Sequence, residues 1–305
     1  MISDFRIYIV IGIFMVICMA LIIFNVTIIY LSQGRGTLTT NKKVEKWKDI
    51  LYKQITPASG RRLGRRSGRR PGALRHNRFL LRKLKNTENL VVYAQALQYL
   101  KSEFPAAYSD YIYGRYDTFH KLAHTYSRKS VIERTCYANF IGSFPQGAGR
   151  RYGSVASTLI AYIDDFSIHC RTNVLSALCS MGSVEGVVNA LQVINDKSLF
   201  MHNRLLTNVL SNFKGDKEAL GTQLWHASRN WDDNITVSVI QYITRFSNRY
   251  TETFFPVLRD KATSTTVRTA IISYYGKYIH KPVRPMMAST SIGLDNEMDG
   301  EKASA

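Results

Sequence analysis

From residue 76 onward, apolar residues recur every three or four positions and strand-type alternation is scarce. Breaks fall at Pro105, at Pro145 with Gly147 and Gly149, at Gly182, at Gly215 with Asp216, and near Asn230. The stretches between them have helical length, so the pattern predicts an all-α body. Its apolar centres repeat. Tyr137–Ile141, Val174–Leu178, Val209–Phe213, Val239–Ile243 and Ile271–Tyr275 start 37, 35, 30 and 32 residues apart, and TNVLS occurs at both 172–176 and 207–211. The clearest unit begins at Cys170. Its first helix buries Val174, Leu175 and Leu178, Gly182 supplies a left-handed stop, and Ser183 caps a second helix with Glu185 in its first turn. That second helix buries Val187, Val188, Leu191 and Val193 or Ile194. One such pair cannot hide its apolar face alone, whereas stacked pairs share a continuous core.

The N-terminus follows a different pattern. Residues 7–31 hold no charge in 25 positions, with Tyr8 and Tyr30 near the ends. As a helix this run is about 37 Å long, enough to cross a hydrocarbon core of about 30 Å. The neutral leader MISDFR, the long apolar core and the lack of an A-x-A-like site argue for an uncleaved anchor over a signal peptide. Residues 41–55 place Val44, Trp47, Ile50 and Leu51 at helical spacing, opposite lysines. Such a helix either lies along a membrane surface or packs on the following domain.

Charge sharpens the picture. Of the formal net charge of +19, the stretch 35–86 carries +15, with 17 Lys/Arg against Glu45 and Asp49. Within it, RRLG-RRSG-RRPG at 61–72 repeats Arg61, Arg62, Arg65, Arg66, Arg69 and Arg70 with glycines between. This composition reads as a flexible basic linker suited to anionic lipid, to an acidic protein partner or, as a third reading, to nucleic acid. The positive-inside rule puts the C-terminal body in the cytoplasm and the first residues outside, as a single-pass cell-membrane protein. Cys136, Cys170 and Cys179 then sit in a reducing compartment. The expected organisation is an anchor at 1–34, a basic juxtamembrane helix and linker at 35–75, a helical cap at 76–128, repeats at 129–285 and a disordered tail at 286–305. The cap holds seven tyrosines, which serve either partner binding or the half-polar boundary that a capping subdomain needs.

The search for chemistry points away from catalysis. His120 and His124 stand at i,i+4 without an H-E-x-x-H acid between them, and no G-x-S-x-G or G-x-x-x-x-G-K-[ST] sequence occurs. The glycine/arginine stretch at 147–153 reads as an inter-repeat loop, and the pairs Asp164/Asp165 and Asp232/Asp233 read as helix caps. No catalytic residue, metal set or cofactor is expected. Trp225, His226, Arg229 and Trp231 cluster where one unit gives way to the next, the composition of an interface hot spot or of a staple between repeats. Trp225, Arg229 and Trp231, with Arg171 and Arg204, form the candidate partner-binding set. Arg61, Arg62, Arg65, Arg66, Arg69 and Arg70 are the candidate lipid or partner contacts.

The unit from Cys170 resembles the HEAT-repeat family. Arg171, Ala177, Leu178, Gly182, Val187, Leu191 and Asp196 occupy that family's pattern of a basic start, small and apolar first helix, glycine turn, apolar second helix and terminal acid. Arg134 and Arg268 fit the basic position, Arg204 is slightly out of register, and the fourth unit lacks a basic residue there. The resemblance covers about residues 129–285, four to five units. Armadillo and TPR arrays are the neighbouring alternatives. It implies an α-α superhelix that acts as a membrane-anchored scaffold, and its likeness to membrane-tethered bacterial HEAT proteins suggests a membrane enzyme such as a glycosyltransferase as client. The competing readings are a HEAT-like nucleic-acid binder of the DNA-glycosylase type with a basic groove, and an unrecognised enzyme with a polar concave pocket.

Overall fold

The computed structural model describes residues 40–55, 71–144, 153–164 and 167–278, with Met19 and Leu21. The expected span over 7–31, the arginine cluster at 61–70, the loop at 147–152 and the tail from 286 fall outside the described residues, those two positions apart. Among the described residues there is no strand, and no helix is long and apolar enough to cross a membrane. The order is α1 (40–55), α2 (Pro71–Leu84), α3 (Thr87–Glu103), α4 (Pro105–Tyr113), α5 (Tyr116–Tyr126), α6 (Val131–Gly142), α7 (Gly153–Ile160) and a short 3-10 turn (Ala161–Asp164). It continues with α8 (Ile168–Met181), α9 (Val184–Asp196), α10 (Asn203–Ser211), α11 (Lys217–Ser228), α12 (Asp233–Phe246), α13 (Thr251–Arg259) and α14 (Thr265–Tyr278). These helices fall into two compact units, one holding α1 with residues 88–111, the other residues 75–87 and those from 112 on.

In the first unit the apolar stripe of α1 is occupied. Val44, Trp47 and Leu51 are buried, and Trp47 meets Tyr93 of α3 edge-on at 5.0 Å between ring centroids. Lys48 Nζ lies 3.6 Å from the Tyr99 ring centre, and Lys43 and Tyr52 reach Glu88 and Glu103. Of the two readings of this amphipathic stretch, packing on a neighbouring helix is the one realised.

The second unit is a superhelical array of two layers. Helices α6, α8, α10, α12 and α14 pack in series along one layer, and α5, α7, α9 and α11 along the other. Side-chain caps explain where many of them start. Ser130 forms a capping box with Glu133, Ser183 accepts from Gly186 N–H, Asp216 from Glu218 and Ala219 N–H, and Asp232 from Asn234 N–H. Gly182 ends α8 at φ 69°, a conformation that costs a residue with a Cβ. Its turn touches the next unit's turn directly. Lys214 N–H donates to Cys179 O at 3.0 Å, and a Cβ on Gly215 would sit 2.8 Å from Gly182 O. On α6, a Cβ on Gly142 would come within 3.2 Å of Ala177 Cα, so α6 and α8 approach closely there.

Tyrosine works mainly as a fastener. Tyr126 OH donates to Leu84 O at 2.8 Å, Tyr137 OH to Phe119 O at 2.6 Å and Tyr162 OH to Ala123 O at 2.5 Å. Each phenol satisfies a backbone carbonyl on another helix while its ring fills core space. Burial pushes the Tyr126 phenol up to about 12 and the Tyr162 phenol higher still. Of the seven tyrosines between 76 and 128, Tyr93, Tyr108, Tyr111 and Tyr126 are buried and Tyr99 is exposed.

Candidate functional site

The first helix of each unit must turn apolar residues inward and leave a polar strip outward, and the strip has a repeated composition. Two positions before the apolar quintet stand Thr135, Thr172, Thr207 and Thr269, with Val237 in the remaining unit. Two positions after its start stand Asn139, Ser176, Ser211, Gln241 and Ser273. Many of these hydroxyls are satisfied within their own helix. Thr135 donates to Val131 O at 2.8 Å, Thr172 to Ile168 O at 2.7 Å, Ser211 to Thr207 O at 2.7 Å and Thr269 to Thr265 O at 2.8 Å, and beside the strip Thr244 donates to Ile240 O at 2.7 Å. Because each hydrogen is used this way, the oxygens present lone pairs to whatever lies above them.

Across α12 and α14 this strip deepens into an open groove of about 970 Å³. Its floor and walls include Gln241 and Thr244 of α12 and Thr265, Thr269 and Ser273 of α14. Asn203, Asp232, Asp233 and Asn234 close one end, and Arg245 lies towards the other. Neighbouring helices brace the lining. Thr207 Oγ1 donates to Gln241 Oε1 at 3.0 Å, Arg245 Nη1 to Ser211 Oγ at 2.6 Å, and Lys277 Nζ to Thr244 O at 2.6 Å. With two carboxylates and one guanidinium, the groove is close to charge-balanced. It offers hydrogen bonds in number and little field.

The residues singled out from sequence go to different places. Trp225 is buried and meets Phe254 of α13 edge-on at 4.7 Å. Trp231 is buried in the turn before α12, and its indole N–H donates to Gln192 Oε1 at 2.7 Å. Both tie one unit to another, the staple role. Arg171 is buried as well, and its Nη2 donates to Phe200 O at 3.0 Å, holding the turn that leads into α10. Only Arg204, just inside α10, and Arg229, after α11, are exposed. The five therefore do not share one outward surface. Sequence reasoning missed the groove residues Gln241, Thr244, Thr269 and Ser273. The recurrent Thr and Ser/Asn/Gln beside each apolar centre was the available signal.

Among the described residues, the ionisable groups moved from their ordinary values lie outside the groove lining. His76, on α2, is held down at about 4 by burial and by Arg115 nearby, and Glu133 at about 2 by hydrogen bonds from Lys129, Thr87 and Ser130. Burial alone lifts the Cys179 thiol to about 12, so it is an inert core residue. His120 stacks on Tyr116 at 6.2 Å, and among the described residues no group of three His, Cys, Asp or Glu could hold a metal. Compared with known proteins, the chain matches no family model, no curated sequence and no solved structure.

Proposed function

We propose that the chain is a single-pass, membrane-anchored adaptor whose HEAT-like array holds a protein partner at the cytoplasmic face without catalysing a reaction. The observation that carries this reading is the groove over α12 and α14, about 970 Å³ in volume and lined by hydroxyls and amides. An extended polypeptide segment brings its own N–H and C=O groups, and such a lining pairs with both. The apolar run 7–31 and the basic stretch behind it support the anchor and its orientation. A membrane enzyme, a glycosyltransferase among others, is a client consistent with the likeness to tethered repeat proteins. Asp232 and Asp233 in the groove weigh against a duplex-binding role, which needs a basic surface.

The test places a photo-crosslinking amino acid at Gln241 or Thr269 in the full chain, with Asn189 and Gln223 on the other layer as controls. Adducts of one defined mass from the groove positions alone support the adaptor reading. Equal labelling at all four positions, or none in cells, sinks it. Duplex binding that falls steeply with salt would replace it with the nucleic-acid reading. Extraction of the chain from membranes by alkaline carbonate would end the anchor reading.

A further inference from the structure

Helix α2 has no place in the groove or in the partner reading, and its chemistry is unlike that of the other helices. Its sequence PGALRHNRFLLRKL contains no acidic residue. Leu80 and Leu84 are fully buried, and the Leu84 carbonyl accepts the Tyr126 hydroxyl at 2.8 Å, which fixes the helix on the array. Opposite that seam, Arg78 and Arg82 stand one turn apart and exposed, followed by Lys83 and Lys85. Beside them Phe79 is 38 % exposed at the flank of the cationic row, with its ring 6.0 Å from that of His76. Lys129 Nζ donates to Lys85 O at 2.6 Å and pairs with Glu133 Oε1 at 2.7 Å, so it ties this end of the helix to α6 and adds no net charge.

We infer that the outer face of α2 rests on the anionic headgroup layer of the membrane, with Arg78 and Arg82 on lipid phosphates and Phe79 at the acyl boundary. Long cationic side chains flanking an exposed ring are the arrangement that an interfacial helix uses. Charge complementarity favours an anionic surface, and each cation near such a surface adds to the attraction. The arginine run 61–70 precedes α2 directly, so the cationic face continues a stretch already suited to lipid. The part-exposed ring beside the cations favours a bilayer, whose acyl boundary takes it, over a duplex backbone, which offers the cations phosphates and the ring nothing apolar. This inference rests on the anchor reading and adds a second point of attachment to it.

The experiment uses the full chain in nanodiscs, with Phe79→Trp as reporter and bromine-labelled lipid as quencher, corrected for the three native tryptophans. In discs containing about one-third phosphatidylglycerol the reporter is quenched roughly twofold or more, and in phosphatidylcholine discs it is not. Adding Arg78→Glu and Arg82→Glu removes the quenching, and the milder Arg78→Gln/Arg82→Gln pair serves if charge reversal disturbs the fold seen by circular dichroism. Equal quenching in both lipids, or none in either, overturns the inference. So does tighter binding of a duplex oligonucleotide that the same substitutions abolish. Elution of the chain apart from the discs would sink the anchor reading on its own. The face of α2 would then be judged by sedimentation of the same variants with phosphatidylglycerol vesicles, and no salt-sensitive sedimentation there would overturn it.

Discussion

Two stretches of the array solve the same packing problem with different chemistry. Around α5 to α7 the layers are joined by large rings. Tyr126 stacks on Tyr137 at 4.9 Å, Phe119 meets Phe140 at 5.5 Å, and three phenols reach carbonyls on other helices. From α8 to α11 the joints are small. Ala177 faces Gly142, the Gly182 and Gly215 turns touch backbone to backbone, and Cys179 fills the core beneath them. Big side chains hold helices apart and gain area, while small ones let backbones approach and gain close contact. A damaged ring therefore leaves a void, and a damaged glycine creates a collision.

Substitutions can separate the two modes. The largest effect is expected at Tyr137, fully buried among rings, where Tyr137→Ala should cost about 4 kcal/mol in urea unfolding. A loss under about 1 kcal/mol would show that the aromatic joint is not a stabilising one. Next comes Gly182→Val, expected to cost about 2 to 3 kcal/mol because it adds both a left-handed Cβ and a clash with Gly215. Gly276→Ala, inside α14 where a Cβ meets nothing within 4 Å, is the clash-free control and should gain up to about 1 kcal/mol. Trp231→Phe should cost about 1 kcal/mol by orphaning Gln192, more than Trp225→Phe, whose buried indole N–H has no acceptor among the described residues. Equal losses would mean that ring shape alone matters at both sites.

The smallest effects are pH-dependent. The folded-state pKa of His76 is lowered from 6.5 to about 4, so its contribution is complete above 6.5 and drains as pH falls towards 4. Glu133, lowered from 4.5 to about 2, contributes fully above 4.5 and fades as pH falls towards 2. His76→Gln should flatten the upper part of a plot of Tm against pH and leave the lower part, and Glu133→Gln should do the reverse. A single variant flattening both parts would show that the two groups are coupled.

The parts of the fold legible in the sequence are those where one residue type has one structural use. Gly182, Ser183, Asp216 and Asp232 sit where their turn and cap chemistry puts them. Val44, Trp47 and Leu51 announce a helix, yet periodicity cannot say whether lipid or protein covers the stripe, and α3 does. Tyrosine was less readable, because a phenol that fastens helices and a phenol that faces a partner leave the same trace. The same ambiguity hid the fate of Trp225 and Trp231. The groove was hardest to see. Thr269 and Gln241 are ordinary helix-surface residues in one dimension and become a lining only when α12 and α14 lie side by side.

The touching turns at Gly182 and Gly215 have a mechanical corollary. Gly182 meets Gly215 backbone to backbone and the Phe213 ring fills the space beside Gly215, so this rim of the stack is close-packed and acts as a stop. Flexing at that step can spread the opposite rim but cannot fold the stack tighter about this one. A guest that pries the two turns apart must break the Lys214 N–H to Cys179 O hydrogen bond, and one that must be gripped by further curling would find the joint already at its limit.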